Sequence, residues 1–186
     1  MGWFQNLFAR GNPAPITSAA KAKERLSCPA PTKRPTMNIA GKQIVMKSEG
    51  LELKPYLCPA GIPTIGRGAT YGPDMEPVTM DDDSISVGVA NSMFERDMRH
   101  FSDRVRNLID VTVTDNQFSA LVSLAYNIGT GALRRSKLLA KLNREDYAGA
   151  AGEFWDFRNK RGPNGRLMVL PGLVIRRALE KKLFLS

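Results

Sequence analysis

The chain is short of the residues that build metal sites and disulfide scaffolds. Its 186 residues include two cysteines, Cys28 and Cys58, and one histidine, His100. Two cysteines are too few for a disulfide-dense secreted fold, and no zinc-ligand spacing occurs. We therefore expect neither a structural metal nor a cofactor.

Long hydrophobic stretches are also missing. The longest apolar runs span only a few residues, whereas a membrane-spanning helix needs about 20. Residues 1–15 contain neither a continuous apolar segment nor an early basic one, so we expect no cleavable secretory signal. We expect the protein to be made in the cytoplasm, with another component delivering it if its target lies outside.

Acidic residues are the minority charge. The chain has 27 Lys and Arg against 18 Asp and Glu, which gives a net charge of +9. Such a charge favours polyanionic partners, among them bacterial envelopes and nucleic acid, and does not choose between them. Hydrophobic residues make up 42% of the chain, which is ordinary for a globular protein and predicts a folded core.

Proline and basic residues set residues 1–38 apart from the rest of the chain. This composition is typical of a tether, so we divide the chain into an arm over 1–38 and a folded domain over 39–186. Four apolar side chains near the start share one face of a short helix. This short helix would pack on the main domain, or anchor the protein at a membrane surface or docking partner. The third alternative is a frayed terminus. The members of the apolar face are Trp3, Phe4, Leu7 and Phe8.

The folded domain starts with a helix, forms a hairpin and then continues in helices. Asn38 is suited to cap a helix that runs to Ser48, and residues 55–70 have the turn composition of a β-hairpin. Beyond Thr79, a suitable helix cap, we predict only helices. The first starts after Thr79, where the acidic run 81–83 suits the positive end of the helix dipole. The second starts near Thr114, and shorter helices cover 136–142, 145–157 and 171–184. The class is α+β, predominantly helical.

Glu49 is conspicuous because of its place at the end of the first predicted helix, where the dipole disfavours a negative charge. A hairpin folded back onto that helix end would bring Cys58 and Thr64 beside it. Glycoside hydrolysis needs an acid for the leaving oxygen and a group that places water on the other face of the sugar. From the residues alone, ordinary surface and packing roles stay open as the alternative.

The surrounding segment resembles the catalytic region of phage lysozymes, the T-even and lambdoid endolysin family. Ser48-Glu49-Gly50 is followed by Tyr56-Leu57-Cys58-Pro59-Ala60-Gly61-Ile62-Pro63-Thr64-Ile65-Gly66-Arg67-Gly68, which contains the family's Thr-Ile-Gly-x-Gly signature. The similarity continues through residues 116–129, 136–143 and 170–177, and covers roughly residues 39–185.

The resemblance implies a hairpin lobe and a helical lobe joined by a long helix over 81–108, with peptidoglycan bound between the lobes. It implies that Glu49 protonates the oxygen between N-acetylmuramic acid and N-acetylglucosamine. Thr64 would hold the attacking water. Cys58 stands where many members have Asp, and a thiol would place water, or act with partial thiolate character, rather than supply a full carboxylate's charge.

Further roles follow from the same resemblance. Tyr126, Asn127 and Ser136 match positions that contact substrate, with helix capping as the alternative for the last two. We expect Arg176 and Arg177 to form salt bridges rather than to bind substrate.

The chain departs from the family pattern at Ala69, where members commonly have His. In some relatives a catalytic cysteine is locked in a disulfide before release, which raises a Cys28–Cys58 bond as an alternative, although the cytoplasm disfavours it.

Three functions stay open at this point. The first is a soluble, monomeric endolysin that reaches the cell wall through a holin lesion and lyses the host. The second is a virion-associated lysozyme delivered by residues 1–38. The third is a basic envelope- or nucleic-acid-binding protein that has kept the fold and lost catalysis. We favour the first, with peptidoglycan and not nucleic acid as its partner.

Overall fold

The computed structural model describes residues 34–58, 60–161 and 166–186. Most of the predicted arm, with Cys28 and the aromatic face, lies outside these residues. The described end of the arm is fastened to the helical domain, because the backbone N–H groups of Thr36 and Asn38 donate to Asp115 and Ser119. None of the described helices is both long and apolar enough to cross a lipid bilayer.

The described residues form mainly helices, with two small antiparallel hairpins, so the α+β, predominantly helical class is confirmed. In chain order the elements are α1 (Ile39–Glu49), β1 (Glu52–Leu57), β2 (Pro63–Gly66), α2 (Val87–Arg106), α3 (Asp115–Ile128), α4 (Thr130–Arg134), α5 (Lys137–Leu142), α6 (Tyr147–Gly152), a 3-10 helix (Glu153–Arg158), β3 (Asn159–Arg161), β4 (Leu167–Val169) and α7 (Pro171–Phe184).

The first helix begins where its cap predicts. The side chain of Asn38 accepts a hydrogen bond from the N–H of Gly41 at 3.0 Å, which satisfies one of the free donors of the first turn. α1 then packs so closely on α3 that a Cβ at Gly41 would lie 2.6 Å from the Cβ of Ser119. Glycine at this position lets the two helices approach each other.

Two apolar clusters, both of which include side chains of α2, give the domain its two lobes. The larger cluster surrounds α3, which is buried from Phe118 to Tyr126. α2 contributes Phe94 to this cluster and its neighbour Met93 to the smaller one, which lies by the β1–β2 hairpin. The two-lobed architecture predicted from the family resemblance is therefore confirmed.

The bridging helix begins later than the predicted span. α2 starts at Val87 because the side chain of Ser86 caps it, accepting from the N–H of Val89 at 3.2 Å. The N–H and hydroxyl of Thr79, the predicted cap, instead donate to the carboxylate of Asp82 in an exposed turn. The acidic run 81–83 therefore stabilises a turn and does not form the first turn of α2, where it would have offset the helix dipole.

The prediction of helices alone beyond Thr79 is wrong at the second hairpin. β3 and β4 pair between the 3-10 helix and α7, with Lys160 opposite Met168. A three-residue apolar strand is too short for its periodicity to separate it from a helix. The predicted helix over 145–157 is also divided, because α6 ends at Gly152, a poor helix former.

Candidate active site

Glu49 is the last residue of α1, at the point where the chain leaves the helix. Gly50 follows with a φ of 72°, a conformation that glycine adopts without steric cost. Nη1 of Arg67 donates to the carbonyl oxygens of Gly50 at 2.9 Å and of Met46 at 3.3 Å. A cation at this end offsets the negative pole of the helix dipole. Arg67 thereby fixes the backbone that carries Glu49.

The Glu49 carboxyl is buried and paired. Its side chain is 2% exposed, and its Oε1 accepts from Nη1 of Arg176 on α7 at 2.5 Å. Burial raises the pKa of Glu49 from 4.5 to about 7, although Arg176 acts in the opposite direction. Glu49 therefore titrates near neutral pH, as a general acid should.

The β1–β2 hairpin carries the other two predicted catalytic side chains, and both are buried. The thiol of Cys58 is free, and its Sγ accepts from the N–H of Ile62 at 3.4 Å. The hydroxyl of Thr64 donates to the carbonyl oxygen of the same Ile62 at 3.0 Å. One peptide segment in the hairpin turn therefore holds both side chains.

Tyr56 connects the hairpin to the end of α1. It lies opposite Thr64 in the β1–β2 register, so the two side chains share one face of the hairpin. Burial, together with the nearby Glu49 and Cys58 groups, raises the pKa of the Tyr56 phenol to about 12. The three predicted catalytic residues therefore gather around Tyr56. Across the described residues, no group of three or more His, Cys, Asp or Glu is arranged to hold a metal ion.

The predicted substrate-binding residues occupy different environments. Tyr126 is 3% exposed, and its hydroxyl donates to the carbonyl oxygen of Arg67 at 2.8 Å. Asn127 is half-buried at the end of α3. Ser136 caps α5, accepting from the N–H of Leu139 at 3.1 Å. Substrate contact by the three stays a prediction, and Ser136 has the capping role that was its alternative.

Comparisons with known proteins identify the family of this chain. A family model described as phage lysozyme matches residues 46–180. The chain is 39% identical over 152 residues to an endolysin of Acyrthosiphon pisum secondary endosymbiont phage 1, which covers 81% of this chain and 99% of the relative. The chain belongs to the phage lysozyme family. As a phage lysozyme it is a glycoside hydrolase, a muramidase that acts on peptidoglycan.

Solved structures show the same fold in phage lysozymes and beyond them. The endolysin from Escherichia coli O157:H7 phage FAHEc1 aligns with a TM-score of 0.74 and 32% identity, over 83% of this chain and 96% of that one. The muramidase domain of SpmX from Asticaccaulis excentricus aligns with a TM-score of 0.72 and 31% identity, over 82% of this chain and 99% of that domain.

Two parts of this phage lysozyme site were not predicted from the sequence. Arg67 occupies the variable position of the Thr-Ile-Gly-x-Gly signature, so its capping of α1 was not predicted. Arg176 forms salt bridges as predicted, but one partner, Glu49, lies 127 positions away in the chain. The available signal was the close spacing of Arg176, Arg177 and Glu180 on one helix, and it does not identify a distant partner.

Proposed function

We propose that this phage lysozyme is an endolysin that hydrolyses the β-1,4 bond between N-acetylmuramic acid and N-acetylglucosamine, with Glu49 as the general acid. The observation that carries the proposal is a buried carboxyl at a helix end whose pKa is raised to about 7. A large fraction of such a group is protonated at neutral pH, so it is able to protonate the leaving oxygen.

The ion pair with Arg176 leaves the Glu49 carboxyl one oxygen for the reaction. Arg176 donates to Oε1, so we assign the transferred proton to Oε2. The contact at Oε1 persists in both protonation states, because the carbonyl oxygen of a carboxylic acid also accepts. After proton transfer, Arg176 stabilises the carboxylate that is left.

We assign the attacking water to Thr64, with Cys58 helping to orient it. The hydroxyl of Thr64 donates to Ile62 and keeps lone pairs that accept from a water molecule. Water delivered opposite the acid inverts the anomeric carbon. Proton NMR of the first-formed reducing sugar should show the α-anomer, and a β-anomer would contradict this assignment.

Substrate binding is assigned to the start of α5 and the end of α3. Asn127 and Ser136 are half-buried there, which leaves part of each side chain able to contact a glycan. For Tyr126, which is buried, we propose an indirect role through the Arg67 carbonyl that its hydroxyl binds.

For delivery, we propose that the domain over 39–186 acts as a monomer that reaches the cell wall through a holin lesion. We propose that the arm over 1–38 contacts the membrane surface or a docking partner on the way. Mass spectrometry of purified virions tests the alternative. Abundant protein in the particles would favour a virion-associated lysozyme delivered by its arm.

The hydrolytic proposal is tested by turbidity loss of chloroform-treated Gram-negative cells. Glu49→Gln should lower the lytic rate by at least about 10²-fold, the usual contribution of a general acid. Glu95→Gln is the matched control, because Glu95 is a partly exposed carboxylate paired with Lys42 and should leave the rate unchanged. Equal lysis by wild type and Glu49→Gln would refute the proposal and favour membrane damage by basic segments.

A further inference from the structure

A second buried carboxylate, Glu180, lies beside the Glu49–Arg176 pair. It is 0% exposed on α7, a position that costs free energy unless neighbouring groups compensate the charge. Its helix turns Arg176, Arg177 and Glu180 inward and leaves Ile175 and Leu179 exposed. The buried side of α7 therefore combines this charged cluster with the apolar side chains of Leu173 and Phe184.

The oxygens of Glu180 are held from two helices. Oε1 accepts from Nε of Arg176 at 3.1 Å, from Nη2 of Arg177 at 2.9 Å and from the hydroxyl of Ser123 at 2.6 Å. Oε2 lies 2.8 Å from Nε of Arg177. The contact at Oε2 is an ion pair without hydrogen-bond geometry, whereas the three bonds at Oε1 go to a charged acceptor and are directional. Glu180 is therefore held in one position between α3 and α7.

Glu180 in turn fixes the guanidinium of Arg176. Nε of Arg176 donates to Glu180 and Nη2 donates to the carbonyl oxygen of Ser123 at 3.0 Å, which leaves Nη1 directed at Glu49. A guanidinium is planar and rigid, so two fixed nitrogens determine the direction of the third. The place of the Glu49 carboxyl thus depends on Glu180.

The charges of the cluster act on the protonation of Glu49 in opposite directions. Arg176 and Arg177 both favour its ionised form, whereas the negative charge of Glu180 favours the protonated form. A neutral residue at position 180 would leave two buried arginines acting on Glu49 alone.

Other polar groups also face the Glu49 end of α1. Tyr56 and Cys58 approach from the hairpin and Tyr126 from α3, while Arg67 binds the last carbonyls of the helix. Burial raises the pKa of both tyrosines, so they are neutral at the pH of the assay.

We propose that Glu180 is a positioning residue of the reaction: it orients Arg176 and offsets the second arginine, so that Glu49 is held in place and still carries a proton at neutral pH. This inference rests on the proposed role of Glu49 as the general acid.

A double-mutant cycle with Arg177→Gln and Glu180→Gln tests it, with kcat/KM on soluble peptidoglycan fragments measured against pH. The alkaline limb of the kcat/KM profile follows the loss of the proton from Glu49. This limb should move to lower pH in Glu180→Gln by on the order of one pH unit, and to higher pH in Arg177→Gln. The double variant removes both charges and should return towards wild type. Glu153→Gln breaks an ion pair with Lys141 in the same lobe and should leave the limb unmoved.

An unmoved limb in Glu180→Gln, with activity lowered equally at every pH, would overturn the inference and leave Glu180 a purely structural role. If Glu180→Gln does not fold, the double variant is compared with Arg177→Gln, and its limb must lie at lower pH. Full activity of Glu49→Gln would instead refute the proposed function, so the two failures are distinguishable.

Discussion

The helical lobe and the hairpin hold their reactive groups in different ways. On the helical side, Glu49 is fixed by Arg176, a side chain 127 positions away, which is itself fixed by Glu180 and Ser123. On the hairpin side, Cys58 and Thr64 are held by the backbone of a single residue in the same turn. The proposed proton donor therefore depends on the tertiary fold, and the proposed water site depends on local turn geometry.

This difference predicts two kinds of mutational effect. Changes in the buried charge cluster should alter both stability and protonation, because an unpaired charge in the core is expensive. Changes in the hairpin should alter the rate and leave the fold intact.

Removal of Arg176 should have the largest effect on stability. In Arg176→Met the buried Glu49 carboxyl loses its partner and Glu180 keeps only part of its own. We expect the free energy of unfolding, from urea denaturation, to fall by about 3–5 kcal/mol. Lys141→Met, which breaks a partly exposed pair with Glu153, should cost much less. Similar losses of unfolding free energy in the two variants would show that the buried cluster stabilises the fold no more than a partly exposed ion pair does.

Substitution of Cys58 should act on rate alone. Cys58→Ala removes the thiol that we propose to orient water and should lower the lytic rate by at least about tenfold. Cys58→Asp, the residue common in relatives, should keep substantial activity, and a thiol-blocking reagent should inhibit the wild type. Matching melting temperatures would confirm that the fold is retained. Wild-type activity in Cys58→Ala would remove the thiol from the mechanism.

Tyr126→Phe should have a smaller effect. It deletes the hydrogen bond to the Arg67 carbonyl and should cost about 1 kcal/mol of stability. KM should stay close to wild type, because the hydroxyl is buried. A higher KM with unchanged stability would show that Tyr126 contacts the glycan directly.

A further prediction concerns the pH dependence of stability. The pKa of Glu49 in the folded protein is raised from 4.5 to about 7, so its stabilising contribution is complete below pH 4.5 and is lost as the pH rises through 7. Wild type should therefore lose stability relative to Glu49→Gln over this range in urea denaturation. A constant difference in unfolding free energy between the two proteins would show that the pKa of Glu49 is not raised by folding.

The elements that the sequence predicted well are those with local signals. Asn38, Thr114 and Ser136 cap helices close to where they were predicted, because a cap bonds its own first turn. The start of α2 was misplaced because two serine or threonine caps compete there, and the structure uses Ser86. The pairing of Glu49 with Arg176 could not be predicted, since it depends on the packing of distant helices.

A carbon-13 NMR titration of the Glu49 side-chain carboxyl in the intact protein, assigned with Glu49→Gln, tests the central claim most directly. We expect a midpoint near pH 7. A midpoint near 4.5 would contradict it, because almost every Glu49 would then be ionised at neutral pH and few molecules would have a proton to give.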